Sequence, residues 1–359
     1  MAVTHTMNLP DLLKATLELG GSDLHLSMGS PPQVRVDGHL RRLELPELAP
    51  DVIKALTYSV LTDVQKKKFE ETWELDLAFG LRGVGRFRCN VFNQKGSVGA
   101  VFRLIPEKIR PLEELGLPPV LAELADRPRG LVLVTGPTGS GKSTTLAAII
   151  DLINRTHARH IVTIEDPVEF VHQNKKSVIS HREVGVDSDD FSSALRAALR
   201  EDADVILVGE MRDLETISLA VEAASMGVLV FGTLHTNGAA KTVDRIIDTF
   251  PRDRQDQARA ALADSLAAVV SQILVRRKDG GRLGVHEILI RTSGLSGAIR
   301  EGNTAMINSI IGAGRALGMQ TMDSALHELV TAGMIDGHEA YLKASDKKPF
   351  AQWAAAGGG

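Results

Sequence analysis

The run Gly136-Pro137-Thr138-Gly139-Ser140-Gly141-Lys142-Ser143-Thr144 is the strongest indicator of fold in this chain. It follows the apolar residues 131–134 and begins a helix-prone stretch, so that a strand, a glycine-rich turn and a helix succeed one another. This order is typical of a phosphate-binding loop, whose glycines let backbone N–H groups close around phosphates. Lys142 would reach the β- and γ-phosphates, and the Ser143 hydroxyl is placed to ligate Mg²⁺. The run therefore predicts a site for ATP and Mg²⁺.

The length and composition are those of an ordinary globular protein. A chain of 359 residues exceeds the roughly 250 to 300 residues at which a single core stops growing, which predicts two domains. The one cysteine, Cys89, excludes a disulfide framework and a tetracysteine zinc site and fits a reducing cytosol. No apolar run approaches the roughly 18 residues of a membrane-spanning helix, and the N-terminus lacks a basic segment followed by an apolar one. We therefore expect a cytoplasmic protein that reaches a membrane only through partners, with no direct membrane insertion.

The charge of the chain argues against nucleic acid as a partner. The formal net charge is -4 and aromatic residues make up 4% of the chain, so that neither a global basic field nor many stacking platforms are available. The short basic runs at residues 66–68, 175–176 and 276–278 are typical of solvated surfaces. We expect no nucleic-acid binding.

Residues 1–110 have the pattern of a small α+β domain built on an antiparallel sheet. Apolar and polar residues alternate from Ser22 to Leu26, and residues 34–40 predict a hairpin closed by a turn at Asp37 and Gly38. The remaining predicted elements are a helical stretch from residue 51 to about residue 69, a strand over 75–79 and a hairpin of residues 85–92 with 98–105.

Residues 111–359 follow a different pattern, after a linker that contains Pro106 and Pro111. Short apolar strands alternate with helices, which predicts an α/β fold with a parallel sheet covered on both faces. The region from about residue 292 is predicted to be mostly helical, and the simple end 354–359 is assigned no structure. The predicted strands are 131–135, 160–164, 205–208 and 228–233, and the predicted helices are 144–154, 191–200 and 214–226.

Polar clusters follow three of these strands, at the edge where parallel sheets bind their ligands. The clusters contain Glu165 with Asp166, Gly209 with Glu210, and His235. Hydrolysis of a γ-phosphate needs a carboxylate that orients or deprotonates water, acidic help with Mg²⁺, and a polar group that senses the phosphate. We predict that Glu210 orients or deprotonates the water, with Glu165 as the alternative, and that His235 senses the phosphate. A single carboxylate at such a position is more often a helix cap or a surface acid, but the shared location favours a site.

The second acidic strand departs from the usual pattern of phosphate-loop ATPases. Many of them end this strand with Asp, whereas this chain has Gly209 and carries the carboxylate at Glu210. Mg²⁺ is then expected on Ser143, phosphate oxygens and waters, with Glu165 or Asp166 in its outer coordination sphere.

The predicted antiparallel sheet carries a face with several arginines. Alternation along residues 85–92 sets Arg86 and Arg88 opposite to the apolar side chains, and Arg103 points away from its apolar neighbours in the same way. One interpretation is a solvated sheet face. The other is a set of arginines offered to the phosphates of a neighbouring subunit, as arginine fingers are.

Several segments resemble the signature blocks of the secretion-superfamily ATPases. The run 136–143 resembles their Walker A loop, and the segments around Glu165, Glu210 and His235 resemble their Asp, Walker B and His boxes. Residues 318–323, with the sequence Gly-Met-Gln-Thr-Met-Asp, resemble more narrowly the PilT-type retraction motors of type IV pili. The similarity spans nearly the whole chain.

This resemblance implies a PAS-like domain over residues 1–110 and a RecA-like P-loop ATPase domain over 111–359, C-terminal helices included. It implies a homohexamer that hydrolyses ATP to power the retraction of type IV pili, and thus twitching motility. Such a motor would act at the cytoplasmic face of the inner membrane through the platform protein of the pilus machine. Residues 293–301 keep only the second half of a motif that retraction motors typically show there. A PilU-like accessory ATPase, working beside a paralogous retraction ATPase, is therefore the alternative.

Two other classes of function share parts of this pattern. A binding module that uses ATP only to fix a conformation would bind nucleotide without turnover, and single-turnover phosphate release would distinguish it from a motor. A RecA-like nucleic-acid translocase shares the core fold, but the acidic charge balance argues against it.

Overall fold

The chain separates into two compact units in the computed structural model, which describes residues 7–36, 38–105 and 108–354. One unit comprises residues 1–108 with 167–171, and the other comprises residues 109–166 with 172–359. We call them the small unit and the large unit. The predicted turn residue Asp37, the linker residue Pro106 and residues 355–359 lie outside the described part.

The small unit is built on an antiparallel sheet. Its strands are β1 (Asp23–Leu26), β2 (Gln33–Val36), β3 (His39–Arg42), β4 (Glu74–Leu81), β5 (Gly85–Gln94) and β6 (Ser97–Ile105). Its helices are α1 (Leu9–Glu18), α2 (Pro50–Tyr58) and α3 (Asp63–Thr72). Hydrogen bonds connect the strands in the order β3-β2-β1-β6-β5-β4. Leu13, Ile53 and Phe69, one from each helix, are buried in the core that the sheet also lines.

The alternation predicted for β5 is confirmed. Phe87, Cys89 and Val91 are fully buried in the core of the small unit, while Arg86 and Arg88 are partly exposed on the other side of the strand. Burial raises the pKa of the Cys89 thiol well above its ordinary value, so this cysteine stays protonated. The hairpin predicted around residues 34–40 is present as the antiparallel pair of β2 and β3.

The helical stretch predicted from residue 51 to about residue 69 is present with one interruption. It comprises α2 and α3, which are separated by residues 59–62. The hydroxyl of Thr62 accepts a hydrogen bond from the backbone N–H of Gln65, and the Gln65 side chain accepts one from the N–H of Thr62. This capping box stabilises a new helix start, and the spacing of Thr62 and Gln65 was the signal for it in the sequence.

The large unit is built on a sheet of seven strands. They are β7 (Gly130–Thr135), β8 (His160–Glu165), β9 (Val178–Glu183), β10 (Val205–Val208), β11 (Leu229–Leu234), β12 (Leu266–Arg276) and β13 (Arg282–Ile290). Their order is β13-β12-β7-β11-β10-β8-β9, and all neighbours are parallel except β12 and β13. The predicted parallel sheet is thus confirmed, whereas β9 and the β12–β13 hairpin were not predicted.

Every residue of β7, β10 and β11 is buried, which explains why these strands read as continuous apolar runs. The helices around the sheet are α4 (Val120–Ala125), α5 (Lys142–Thr156), α6 (Phe191–Ala198), α7 (Leu214–Ser225), α8 (Ala239–Asp248), α9 (Gln255–Ser265), α10 (Ser293–Arg300), α11 (Ile307–Ala313), α12 (Met322–Thr331) and α13 (Gly337–Lys343). The expected helical region from about residue 292 is therefore present. Within the ranges that the structure describes, no helix combines the length and the apolar character needed to cross a membrane.

Candidate active site

Glycines shape the loop between β7 and α5. Gly136, Gly139 and Gly141 have φ angles of +140°, +76° and +88°, a region that side chains disfavour. A Cβ at Gly136 would lie 2.1 Å from the carbonyl oxygen of Gln272, and one at Gly141 would lie 2.9 Å from Gln272 Nε2. These two glycines are therefore required both by the backbone conformation and by the close approach of β12.

Lys142 is the first residue of α5, and only 9% of it is exposed. Its ammonium donates hydrogen bonds to the carbonyl oxygens of Gly136 at 2.9 Å and Pro137 at 3.1 Å, so the cation is held inside the loop. The Ser140 hydroxyl is buried and has no hydrogen-bond partner within the described part of the chain. A buried cation and an unused hydroxyl beside positive-φ glycines fit a polyphosphate ligand.

Ser143 and Thr144 follow Lys142 in the first turn of α5, and both are half-buried. Across residues 7–36, 38–105 and 108–354, no group of three His, Cys, Asp or Glu side chains could hold a metal ion. The Ser143 hydroxyl can supply one oxygen ligand to a divalent ion, and Mg²⁺ commonly takes its other ligands from substrate phosphates and waters. The outer-sphere assignments of Glu165 and Asp166 stay predictions.

The three polar clusters follow neighbouring strands that end at the same edge of the sheet. In register, Val208 of β10 pairs with Ile164 of β8 and Gly232 of β11, and β11 pairs with β7 up to the last residue of both. Because neighbouring strands lie about 4.8 Å apart, β10 is about 10 Å and β8 about 14 Å from β7 across the sheet. The strand that Glu210 follows is thus nearer to β7 than β8, which ends at Glu165.

Glu210 is held by Arg212 and His235. The Nε and Nη2 atoms of Arg212 bind the two carboxylate oxygens at 2.5 and 2.6 Å, and His235 Nε2 lies 3.0 Å from Oε1. Partial burial would raise the pKa of Glu210, but the hydrogen bonds and charges of Arg212 and His235 outweigh burial and lower it. The structure thus brings the two predicted residues Glu210 and His235 together, and Glu210 is ionised at neutral pH.

Gly209 lies in a tight part of the sheet. A Cβ at this position would lie 3.1 Å from the carbonyl oxygen of Ile164 and 3.2 Å from the Cα of Glu165. The close approach of β8 and β10 therefore favours glycine, because a side chain there would push the backbone apart by a few tenths of an ångström. The nearby carboxylate of Asp213 is a helix cap, since its Oδ1 accepts a hydrogen bond from the N–H of Thr216 at the start of α7.

Gln272 is a contact of the loop that sequence reasoning missed. It lies on β12, one residue beyond the pairing of Ser271 with Thr135, and it is buried. Its Nε2 donates to the carbonyl oxygen of Ser140 at 2.6 Å, and its Oε1 accepts from the hydroxyl of Thr145 at 2.7 Å. A polar residue inside an otherwise apolar stretch was the available signal for this position.

The predicted arginines lie on one face of the antiparallel sheet of the small unit. Arg88 pairs in register with Arg103, which pairs with Asp23 on the other side. Arg103 Nε donates to Asp23 Oδ1 at 2.8 Å, and Arg88 lies 3.8 Å from Asp76. Arg86 follows the same alternation as Arg88. Acids thus neutralise part of this face, while 68% of the Arg103 side chain stays exposed. A role of these arginines toward another subunit stays a prediction.

Residues 6–332 match the family of type II/IV secretion system proteins. The chain belongs to this family. The type IV pilus retractation ATPase PilT of Pseudomonas aeruginosa is 53% identical over 96% of this chain and 100% of the relative. The type IV pilus ATPase PilU of the same organism is 41% identical over 94% of this chain and 89% of the relative.

A crystal structure of the pilus retraction motor PilT with bound ADP is similar to this type II/IV secretion system protein. The TM-score is 0.90 and the identity 47%, over 96% of this chain and 99% of that chain. These matches confirm the predicted superfamily, the retraction-motor branch and the fold class, in which a parallel-sheet ATPase unit follows a smaller N-terminal unit and precedes C-terminal helices.

Proposed function

We propose that this chain is a Mg²⁺-dependent ATPase that powers the retraction of type IV pili. The observation that carries the proposal is the pair of Glu210 and His235, 3.0 Å apart, at the sheet edge where the glycine-rich loop holds Lys142. The ADP named with the PilT crystal structure supports the same class of ligand. ATP is the substrate, and Mg²⁺ is the ion that accompanies it.

Lys142 and the loop bind and orient the phosphates. The ammonium exchanges its carbonyl partners at Gly136 and Pro137 for phosphate oxygens, and the N–H groups at the start of α5 add to the attraction. Ser143 would hold Mg²⁺, with Glu165 or Asp166 in its outer sphere. When bound, the ion would neutralise negative charge on the phosphates.

Glu210 orients the attacking water. Its lowered pKa makes it a weak base, so its main contribution is a hydrogen bond that positions the water. Arg212 donates to both carboxylate oxygens, and a carboxylate oxygen has a second lone pair with which it can accept a hydrogen bond from the water. His235 connects the carboxylate to β11, the neighbour of β7, and senses the phosphate from there. Glu165 is the alternative carboxylate for orienting the water, and its strand β8 lies about 14 Å from β7 across the sheet.

Assembly into a homohexamer belongs to the same proposal. Arg86, Arg88 and Arg103 of one subunit would act on the nucleotide of another, and hydrolysis would move whole domains as rigid bodies against the platform protein at the inner membrane. Replacing these arginines should lower turnover in the ring. Mixing such a variant with Glu210→Gln should restore part of the activity, because some interfaces then contain both intact groups, whereas no recovery would contradict action between subunits.

The higher identity to PilT than to PilU, 53% against 41%, favours the principal retraction motor over the accessory ATPase. A deletion strain tests the choice. Loss of twitching with surplus surface pili is expected for the principal motor, and normal twitching would assign the chain to the accessory role.

Two substitutions test the site in the purified protein. Lys142→Ala should abolish ATP turnover and weaken ATP binding, whereas Glu210→Gln should retain binding and stop hydrolysis. Glu215→Gln is a matched control, because Glu215 also pairs with an arginine, Arg196, outside the site. Wild-type turnover in Glu210→Gln would remove Glu210 from its role, and Glu165→Gln would then show whether the alternative carboxylate carries it.

A further inference from the structure

Gln272 is a buried polar residue at the place where β7 gives way to the glycine-rich loop. β12 runs parallel to β7, and Ser271 pairs with Thr135, the last residue of β7. Gln272 therefore lies beside the loop, and only 3% of it is exposed. A buried amide costs free energy unless it is hydrogen-bonded, so its partners indicate what the position contributes.

Both ends of the Gln272 amide bind the loop and the helix that follows it. Nε2 donates to the carbonyl oxygen of Ser140 at 2.6 Å, and Oε1 accepts from the hydroxyl of Thr145 at 2.7 Å. A backbone carbonyl can only accept, which settles the orientation of the amide. The backbone carbonyl of Gln272 also fills the space beside Gly136, where a Cβ would lie 2.1 Å away. One residue thus contacts the loop at its start, near its end and in the first turn of α5.

We propose that Gln272 is a positioning residue that holds the loop in its phosphate-binding conformation before the nucleotide arrives. This rests on the proposed function, because it concerns the same site. Glycines with positive φ give the isolated loop many conformations. Binding Ser140 and Thr145 to a rigid strand removes that freedom, and a site ordered in advance loses less entropy when its ligand binds.

Polyphosphate affinity of the full-length protein measures this role without any need for turnover. Gln272→Met keeps the length of the side chain and removes both hydrogen bonds, while Thr145→Val removes one of them from the other side. We expect Gln272→Met to bind tripolyphosphate and ATP about tenfold more weakly, and Thr145→Val to lose less. In steady-state kinetics the loss should fall on KM for ATP and spare kcat, because Glu210 and His235 keep their contacts.

Gln255 offers a matched control in the same unit. Its Nε2 donates to the backbone carbonyl of Phe250 at 3.3 Å, a contact that involves no residue of the loop. Gln255→Met should therefore keep the wild-type affinity for tripolyphosphate. Wild-type affinity in Gln272→Met would overturn the proposal, as would an equal loss in the control. If Gln272→Met does not fold, Thr145→Val decides in the same way.

Lys142→Ala separates this proposal from the proposed function. If this variant binds tripolyphosphate as tightly as the wild type, the site itself is misassigned. If it loses binding while Gln272→Met and Thr145→Val do not, the site stands and only the role of Gln272 is wrong.

Discussion

Alanine at Gly136 should weaken ATP binding severely, because the backbone and the neighbouring strand both exclude a side chain there. The φ angle is +140°, and holding a residue in such a sparsely populated region costs about 1–3 kcal/mol. The new Cβ would lie 2.1 Å from the carbonyl oxygen of Gln272, where real contacts are essentially never under 3.0 Å. Relieving this contact requires backbone movement, and such overpacking costs a further 1–3 kcal/mol or so. The expected total is about 2–6 kcal/mol, against a typical stability of about 5–15 kcal/mol.

Two other glycines separate the contributions. Gly139 has a φ of +76°, but a Cβ there would meet nothing within 4 Å, so Gly139→Ala should lose only the conformational part, about 1–2 kcal/mol. Gly297 lies in α10 with neither restriction, and alanine there should stabilise the helix by about 0.5–1 kcal/mol.

Calorimetric titration with ATP and thermal unfolding of the free protein measure these differences. Since about 1.4 kcal/mol corresponds to a factor of ten, Gly139→Ala should bind ATP about 5- to 30-fold more weakly if its cost falls on the binding conformation. Gly136→Ala should lose more, and Gly297→Ala should bind like the wild type. A folded Gly136→Ala protein with wild-type ATP affinity would refute the reasoning, because the loop would then not need the conformation described.

Three further outcomes follow from the contacts. Burial raises the pKa of Glu210 and Arg212 lowers it, so Arg212→Gln should raise this pKa. The acid limb of a kcat–pH profile should then move to higher pH. An unmoved limb would contradict the idea that the ionisation of Glu210 controls kcat. Burial likewise raises the pKa of Asp23, but its partners Ser22 and Arg103 outweigh burial, so that the pKa lies below its ordinary value. Arg103→Ala should therefore raise the pKa of Asp23, so that the stability supplied by the ionised carboxylate disappears at a higher pH when the pH is lowered. Urea unfolding at a series of pH values measures this shift. At neutral pH the variant should lose only about 0–1 kcal/mol of unfolding free energy. Asn154→Ala should lower the free energy of unfolding by about 1–3 kcal/mol in the same assay, because the fully buried amide hydrogen-bonds two backbone groups, of residues 173 and 175. A smaller loss would mean that water replaces the amide.

Elements with a strong local signal could be predicted from the chain alone. The glycine-rich run, the apolar strands that became β7, β10 and β11, and the alternation of β5 all express the period or the turn chemistry of a single element. The failures concern elements whose signal is weak or shared. β9 lies at an edge of its sheet and has no fully buried residue, so its apolar pattern is faint. The helical stretch predicted from residue 51 to about 69 has a break before a capping box of two residues, and helix periodicity does not reveal that break.

The same distinction applies to the site. Lys142, Glu210 and His235 could be predicted as site residues because each stands directly after a strand or a loop with a recognisable sequence. Gln272 could not be assigned, since its importance comes from the pairing of β12 with β7, two strands more than a hundred residues apart in the chain.

The order of residues was thus enough to predict the ligand class, the parallel sheet and the residue types expected around phosphate, because backbone conformation and hydrogen-bonding chemistry depend on near neighbours. Folding in three dimensions settled which strands lie side by side, that β10 is nearer to β7 than β8 is, that Arg212 binds Glu210, and that β12 contacts the loop. These relations arise from packing between distant segments, and the chain carries no local record of them.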